Sequence, residues 1–197
     1  MVDIAVDPDA LCARRRSALD VTTVQAGADL SVAPLDAAAR FVLRLRPETA
    51  VGLRSVAGFA LDTPMSTCVV DGVRTSARLG PDEWLLLDPQ AQSKTLESEL
   101  VALLSGRMAS LVDISHQNVG IAVVGTYARE VINGGCPLDL HDSAFPPGSA
   151  TRTLLGKAEI VLLRPSEKHA YRLECGRSFA PYVHGFLSQV AREFDAN

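Results

Sequence analysis

Four stretches of the sequence hold residues able to do chemistry. Asp113-Ile114-Ser115-His116 sets a hydroxyl beside an imidazole and close to a carboxylate. Neighbouring residues of an extended strand point to opposite faces, so Ser115 and His116 cannot pair by spacing alone. No G-x-S-x-G elbow is present to raise a serine nucleophile. The spacing suits Asp113, Ser115 and Asn118 as caps that pin a tight connection between two strands. His116, His141, His169 and His184 are spread over the second half, and Cys136 shares a Pro-containing loop with His141. A metal centre needs three or four converging ligands, and neither a C-x-x-C pair nor a zinc-module spacing occurs, so no metal ligand is assigned. Asn133-Gly134-Gly135-Cys136-Pro137 is glycine-rich but follows a helix, so it cannot present the N–H groups of a helix N-terminus to a phosphate. It reads as a helix C-cap, with a left-handed glycine and a proline stop. Nothing beside Cys136 marks it as a reactive thiol. Arg152, Lys157 and Glu159 form a charged band along a hairpin. That band either holds an anionic ligand or another subunit, or keeps a solvated sheet edge from aggregating.

The elements that must carry these residues follow from periodicity. Val21–Ala26 and Leu30–Val32 are short β-prone pieces. Phe41, Leu43 and Leu45 alternate with Arg44 and Arg46, the pattern of a half-buried strand. Pro47 ends it and opens a helix expected over Glu48–Val56, with Gly58 past its end. Asp71-Gly72 between Thr67–Val70 and Val73–Leu79 predicts a hairpin. Trp84–Leu87 is an apolar strand. Ser93–Leu104 reads as an amphipathic helix with Leu96, Leu100, Leu103 and Leu104 on one face and Gly106 beyond. Strands Leu111–Ile114 and Val119–Val124 precede a helix over Thr126–Ile132. Strands Ala150–Leu155, Ala158–Leu163 and Ala170–Cys175 come next. The helix Ser178–Phe194 closes the chain, with Pro181 in its first turn and Val183, Phe186, Leu187, Val190 and Phe194 as its stripe.

Composition bounds the rest. Apolar residues are 47% of the 197, enough for a substantial core. Nineteen Lys and Arg against 23 acids leave a net charge of −4, and aromatics are only 5%. A basic footprint and a stacking platform are both missing, which argues against nucleic acid as a partner. No apolar run is long enough to span a bilayer. The opening MVDIAVDPDALCARRR has no apolar core before its basic residues, so no secretory leader is predicted. Cys12, Cys68, Cys136 and Cys175 are then expected as reduced, mostly buried thiols of a cytoplasmic protein. Residues 1–20, with Pro8, a short helix within Asp9–Leu19 and the Arg14-Arg15-Arg16 cluster, read as an N-terminal arm.

The two halves resemble one another. Leu79-Gly80-Pro81-Asp82-Glu83-Trp84-Leu85-Leu86-Leu87-Asp88-Pro89 aligns with Leu155-Gly156-Lys157-Ala158-Glu159-Ile160-Val161-Leu162-Leu163-Arg164-Pro165, sharing Leu, Gly, Glu, two Leu and Pro in place. Upstream, Phe41-x-Leu43-x-Leu45 faces Val119-x-Ile121-x-Val123. Each half reads as two strands, a helix, three strands and a helix. The expectation is an α+β fold of duplicated β2-α-β3-α units: one domain over 21–197, with lobes over about 21–108 and 109–197.

Several motifs together carry a resemblance. They are Asp113-Ile114-Ser115-His116 with Asn118-Val119-Gly120-Ile121; Gly135-Cys136-Pro137-Leu138-Asp139-Leu140; Ala144-Phe145-Pro146; Thr151-Arg152-Thr153-Leu154-Leu155-Gly156-Lys157-Ala158-Glu159; and Arg177-Ser178-Phe179-Ala180-Pro181-Tyr182-Val183. Gly80-Pro81-Asp82-Glu83-Trp84-Leu85 joins them from the first half. The chain resembles, over roughly residues 40–195, the gamma subunit family of heterotetrameric sarcosine oxidase. That resemblance implies a four-chain flavoenzyme that oxidatively demethylates sarcosine to glycine with release of hydrogen peroxide, while tetrahydrofolate captures the one-carbon unit. It implies FAD, FMN and NAD on the alpha and beta chains, zinc on the delta chain, and no cofactor on this one. It also implies a fold similar to the folate-binding domain of the glycine-cleavage T-protein, a duplicated unit whose halves exchange their first strands. T-protein relatives carry an acidic pair after the hairpin glycine. Here Gly156-Lys157-Ala158-Glu159-Ile160-Val161 supplies one acid, Glu159. No catalytic, cofactor-binding or metal residue is therefore carried over. The leading expectation is a non-catalytic structural subunit partnered by the alpha, beta and delta chains. The alternatives are a folate-binding aminomethyl transferase module and a scaffold of an unrelated assembly. The C-terminal helix and the Arg177–Val183 turn, where aromatics gather, are the expected partner contacts.

Overall fold

The computed structural model describes residues 18–19, 23–26, 29–165 and 169–194. The expected arm over 1–20, its Arg cluster and Cys12 lie outside the described residues, Ala18 and Leu19 excepted. In chain order the elements are β1 (Val24–Ala26), β2 (Leu30–Pro34), β3 (Ala39–Leu45), α1 (Pro47–Ala50), β4 (Ser55–Val56), β5 (Phe59–Ala60), β6 (Thr67–Asp71), β7 (Arg74–Arg78), β8 (Glu83–Asp88), α2 (Ser93–Leu103), β9 (Ala109–Asp113), β10 (Asn118–Gly125), α3 (Ala128–Asn133), β11 (Ser149–Leu155), β12 (Ala158–Arg164), β13 (Ala170–Gly176) and α4 (Ala180–Ala191), with a 3-10 turn over Arg192–Phe194. The fold is mixed α and β, and mostly strand.

Among the described residues eleven strands join in one sheet, ordered β1-β2-β10-β13-β12-β11-β6-β7-β8-β3-β9, and β4 and β5 form a separate hairpin. Every pairing is antiparallel. The joint between β11 and β6 is thin: a single register pair, Ser149 opposite Thr67. The sheet folds over there. Arg40 on β3 and Glu174 on β13 are six strands apart in the order, about 29 Å along a flat sheet, yet they touch at 2.7 Å.

Alternation along the strands sorts side chains into layers. Trp84 and Leu86 of β8 join Phe41, Leu43 and Leu45 of β3 and pack under Leu96 and Leu100 of α2. Ile160 and Leu162 of β12 join Ile121, Val123 and Leu173 under α3 and α4. The residues between them, Leu85 and Leu87 on one side and Val161 and Leu163 on the other, meet with Ala77, Ala150 and Cys68 in a third core between the two half-sheets. The layers thus run helix, half-sheet, half-sheet, helix.

Four expectations need correction. The helix over Glu48–Val56 is a single turn, Pro47–Ala50. Gly52 then takes a positive φ, and Ser55–Val56 pairs with Phe59–Ala60 through an Ala57-Gly58 turn with both φ positive, at 45° and 73°. Two left-handed residues make the turn that matches strand twist. Arg74 holds it: its guanidinium donates to the Ala57 carbonyl and lies 5.3 Å from the Phe59 ring centre. Gly134 is right-handed, at φ −57°, so the cap is not the left-handed kind. The paired glycines serve close packing instead, since a Cβ on Gly135 would sit 2.6 Å from the Phe186 ring and one on Gly134 3.1 Å from Val190. Leu103 is exposed and flanks the buried stripe of Leu96, Leu100 and Leu104 without joining it. Finally, the first half carries an extra hairpin, β4–β5, with no partner in the expected unit.

Candidate functional site

The contact between half-sheets is apolar at its centre and charged at its margin. On β3, Arg40 points into this contact and donates from Nε to Glu174 Oε2 at 2.7 Å and from Nη1 to the Ala38 carbonyl at 3.1 Å. The other Glu174 oxygen accepts Nε and Nη2 of Arg172 at 2.8 and 2.6 Å. The Arg40 and Glu174 side chains are 2% and 0% exposed. A buried charge persists only when paired and hydrogen-bonded, as here. Gly120 on β10 makes room for them: a Cβ there would lie 2.9 Å from Glu174 Oε1 and 3.3 Å from Arg40 Nη2. Nearby, Glu83 of β8 accepts Arg44 of β3 at 2.5 Å and also Arg152 of β11, which reaches across the contact. Glu159 lies 3.8 Å from the same Arg152.

Hollows open along this margin. One of about 310 Å³ is bounded by Leu19, Pro34, Arg40, Ser115, Asn118 and Arg177. A wider groove of about 820 Å³ adjoins it and is bounded by Gln117, Arg152, Glu159, Val161, Glu174 and Phe179. His116, Asn118 and Arg177 border both.

Of the candidate residues, Ser115, His116, Asn118, Arg152 and Glu159 fall around this margin. Ser115 N–H donates to Asp113 Oδ1 at 2.8 Å, and Ser115 Oγ accepts the Arg40 backbone N–H at 2.9 Å. Gln117 and Asn118 N–H both donate to the Ile114 carbonyl. The stretch is the tight turn from β9 to β10, capped by the side chains of Asp113 and Ser115, with Asn118 tied in through its backbone N–H. Burial pulls the Asp113 carboxyl upward, but hydrogen bonds from Ser115 and Ser93 and the nearby His116 outweigh it and leave it below the usual range. The histidines do not converge. His116 and His141 lie on exposed turns, His169 sits at φ 63° before β13, and His184 is buried in α4, where burial lowers its pKa. Among the described residues no three His, Cys, Asp or Glu gather as a metal would need. Cys68, Cys136 and Cys175 are free and buried. Burial pushes the Cys68 thiol up to about 11, and burial with the neighbouring Glu174 takes Cys175 to about 12. Cys136 Sγ lies 3.8 Å from Thr153 Oγ1.

Lys157 N–H donates to Tyr182 Oη at 3.1 Å, tying α4 to the β11–β12 turn. Phe179 and Tyr182, in the expected contact turn, are exposed. No motif pointed to Arg40, Glu174 or Arg164. Arg164 is buried, lies 5.4 Å from the Tyr171 ring centre, and holds the 142–145 loop through Asp142 at 2.7 Å and the Phe145 carbonyl at 2.6 Å. The one available signal for the Arg40 pair was Gly120 inside a strand pattern, which marks the close approach of another group.

This curled antiparallel sheet with helices on its outer layers is the fold of the glycine cleavage system aminomethyltransferase T. The enzyme of that name from Bartonella henselae superposes with a TM-score of 0.60 at 11% identity, over 86% of this chain and 51% of that one. A chain of the heterotetrameric sarcosine oxidase from Corynebacterium sp. U-96, solved with pyrrole 2-carboxylate, superposes at 0.81 with 23% identity, over 93% of this chain and 97% of that one. In sequence, the sarcosine oxidase subunit gamma of an Arthrobacter sp. is 30% identical over 138 residues, 64% of this chain and 67% of that protein. The subunit gamma of Corynebacterium sp. (strain P-1) is 33% identical over 116 residues, 59% of this chain and 56% of its own length. Residues 46–193 match the family described as sarcosine oxidase, gamma subunit family, and the chain belongs to it.

Proposed function

We propose that this chain is a non-catalytic structural subunit of a heterotetrameric sarcosine oxidase, assembled with alpha, beta and delta chains. In this reading the complex converts sarcosine to glycine, releases hydrogen peroxide and passes a one-carbon unit to tetrahydrofolate. FAD, FMN, NAD and zinc belong to the partner chains, and no residue here is catalytic, cofactor-binding or metal-ligating. Family membership is the observation that carries the proposal. The margin of the half-sheet contact supports it, because Arg40, Glu174, Arg172, Glu83, Arg44 and Arg152 are engaged with one another. The hairpin after Gly156 does not fit a folate site built on an acidic pair. Glu159 is exposed beside Arg152, and the next position, Ile160, is a core residue. Among the described residues no helix is long and apolar enough to cross a membrane, and a cytoplasmic complex is the proposed setting.

The test is expression of the chain alone and together with the large subunits. The chain alone should hold no flavin and release no peroxide with sarcosine, yet co-purify with the large subunits. Sarcosine-dependent peroxide from the isolated chain would overturn the proposal. Saturable micromolar tetrahydrofolate binding, weakened by Glu159→Ala, would favour the aminomethyl transferase reading instead.

We also propose that the chain is a duplicated β2-α-β3-α unit over 21–197, following an arm over 1–20. Exchanging β2 with β9, β3 with β10, β6 with β11, β7 with β12 and β8 with β13 turns the strand order into its own reverse, β1 set aside. Each lobe's first strand, β2 or β9, lies on the other lobe, against β10 or β3. This pairing keeps Phe41–Leu45 opposite Val119–Val123. It moves β8 onto β13, whereas the likeness of Leu79–Pro89 to Leu155–Pro165 sets β8 on β12. Apart from the exposed Glu159, β8 and β12 are both buried on both faces, and strands so buried converge on apolar runs.

A further inference from the structure

The two ends of the sheet are finished differently. At one end β1 covers the outer edge of β2, antiparallel, with Val24 opposite Val32. At the other end β9 pairs with β3 on one side only, and no described strand lies beyond it. The Ile114 N–H donates to the Arg40 carbonyl at 2.9 Å. Antiparallel alternation then turns the backbone groups of Ser110 and Val112 toward β3 and those of Ala109, Leu111 and Asp113 outward. Ala109–Val112 contains no Lys, Arg or Pro, the residues that guard an edge against pairing. Its side chains are exposed except for Leu111, and Val112 and Met108 are 50% and 68% open. Leu103 of α2, the helix packed beside β9, is exposed as well.

We infer that the outer edge of β9 receives an antiparallel strand from a partner subunit of the oxidase, an extended segment with apolar side chains at alternate positions. The inference rests on the proposed function above. The chain itself shows what such an edge accepts. β2 and β9 correspond in the exchanged-strand pairing, and β2 takes an antiparallel strand, β1. An assembly of four different chains holds one copy of this chain, so β9 cannot be covered there by the β9 of a second copy. Main-chain bonds through Ala109, Leu111 and Asp113 would hold the added strand, and Met108 and Val112 would supply apolar contact.

Residue-resolved hydrogen–deuterium exchange on the co-expressed complex tests this. The amides of Ala109, Leu111 and Asp113 should exchange at least tenfold more slowly in the complex than in the isolated chain, while Val112 stays slow in both. Ala109→Pro removes an outward N–H and spares the bonds to β3. It should cut recovery of the partner subunits at least tenfold without moving the melting point of the chain. Val112→Lys, which charges the same edge, should act in the same direction if the proline variant misfolds. Fast exchange at the three amides in an active complex overturns the inference and leaves the proposed function standing. So does a dimer of the isolated chain that Ala109→Pro dissociates, or protection in the isolated chain that is lost when residues 1–17 are removed. A chain that joins no sarcosine-oxidising subunit at all overturns the function and the inference together.

Discussion

At the centre of the contact between half-sheets, Leu85, Leu87 and Ala77 press on Ala150, Val161 and Leu163. At its margin β3 and β13 present Arg40 and Glu174 to one another, and β8 and β11 present Glu83 and Arg152. The centre gains from removing apolar surface from water, roughly 25 cal/mol per Å². The margin gains less and is more exacting. Its innermost pair lies beyond the reach of water, so each charge depends on its partner, whereas Arg152 is 45% exposed and can be resolvated. Apolar packing therefore holds the half-sheets together, and the buried pair holds them in one alignment.

Breaking the buried pair should cost most. Glu174→Ala strands Arg40 and Arg172 without a counter-charge, and urea unfolding should show a loss of about 4 kcal/mol. Leu163→Ala empties part of the apolar centre. It should cost about 3 kcal/mol by the same measurement, with the alignment retained. Arg152→Ala removes a half-exposed partner of Glu83, and a loss below about 1 kcal/mol is expected. A loss for Arg152→Ala as large as that for Glu174→Ala would erase the distinction between inner and outer charges. A finer test uses the second acid of β8. Burial alone would raise the Asp88 carboxyl, but the Arg74 hydrogen bond and the N–H groups of Gln90 and Ala91 hold it below its ordinary 3.8. A depressed folded-state pKa stabilises above the unfolded value and is lost as pH falls through the folded one. The wild-type advantage over Asp88→Asn should therefore be full at neutral pH and shrink below about pH 4, as followed by thermal melts.

Legibility in the sequence tracked the range of the interaction. The β6–β7 hairpin was legible because Gly72 takes the positive φ that Asp-Gly announces. β8, α2 and α4 were legible from apolar runs and period. The β4–β5 hairpin was not, because its turn opens with Ala57, a residue without turn preference that Arg74 holds from a distant strand. Leu103 was misplaced because helical period names the stripe but cannot see where the sheet beneath it ends. Gly134 and Gly135 look like a helix cap in sequence, but their constraint comes from Phe186 and Val190 of α4, far along the chain. The Arg40–Glu174 pair joins residues 134 positions apart and belongs to no local pattern beyond the hint at Gly120. The resemblance carried by Thr151–Glu159 and Arg177–Val183 located the family without locating that pair.

The crossed strands impose an order on synthesis. Leu30 pairs with Gly125, and Phe41 with Asp113, so β2 and β3, which have β1 and β8 early, each lack a second neighbour until more than half of the polypeptide has left the ribosome. Contacts this distant make folding slow. A chain cut between α2 and β9 would give two pieces, each lacking a strand that the other carries. Mixed together, such pieces should clasp into one sheet, and apart the first should lack β9 beside β3 and the second β2 beside β10.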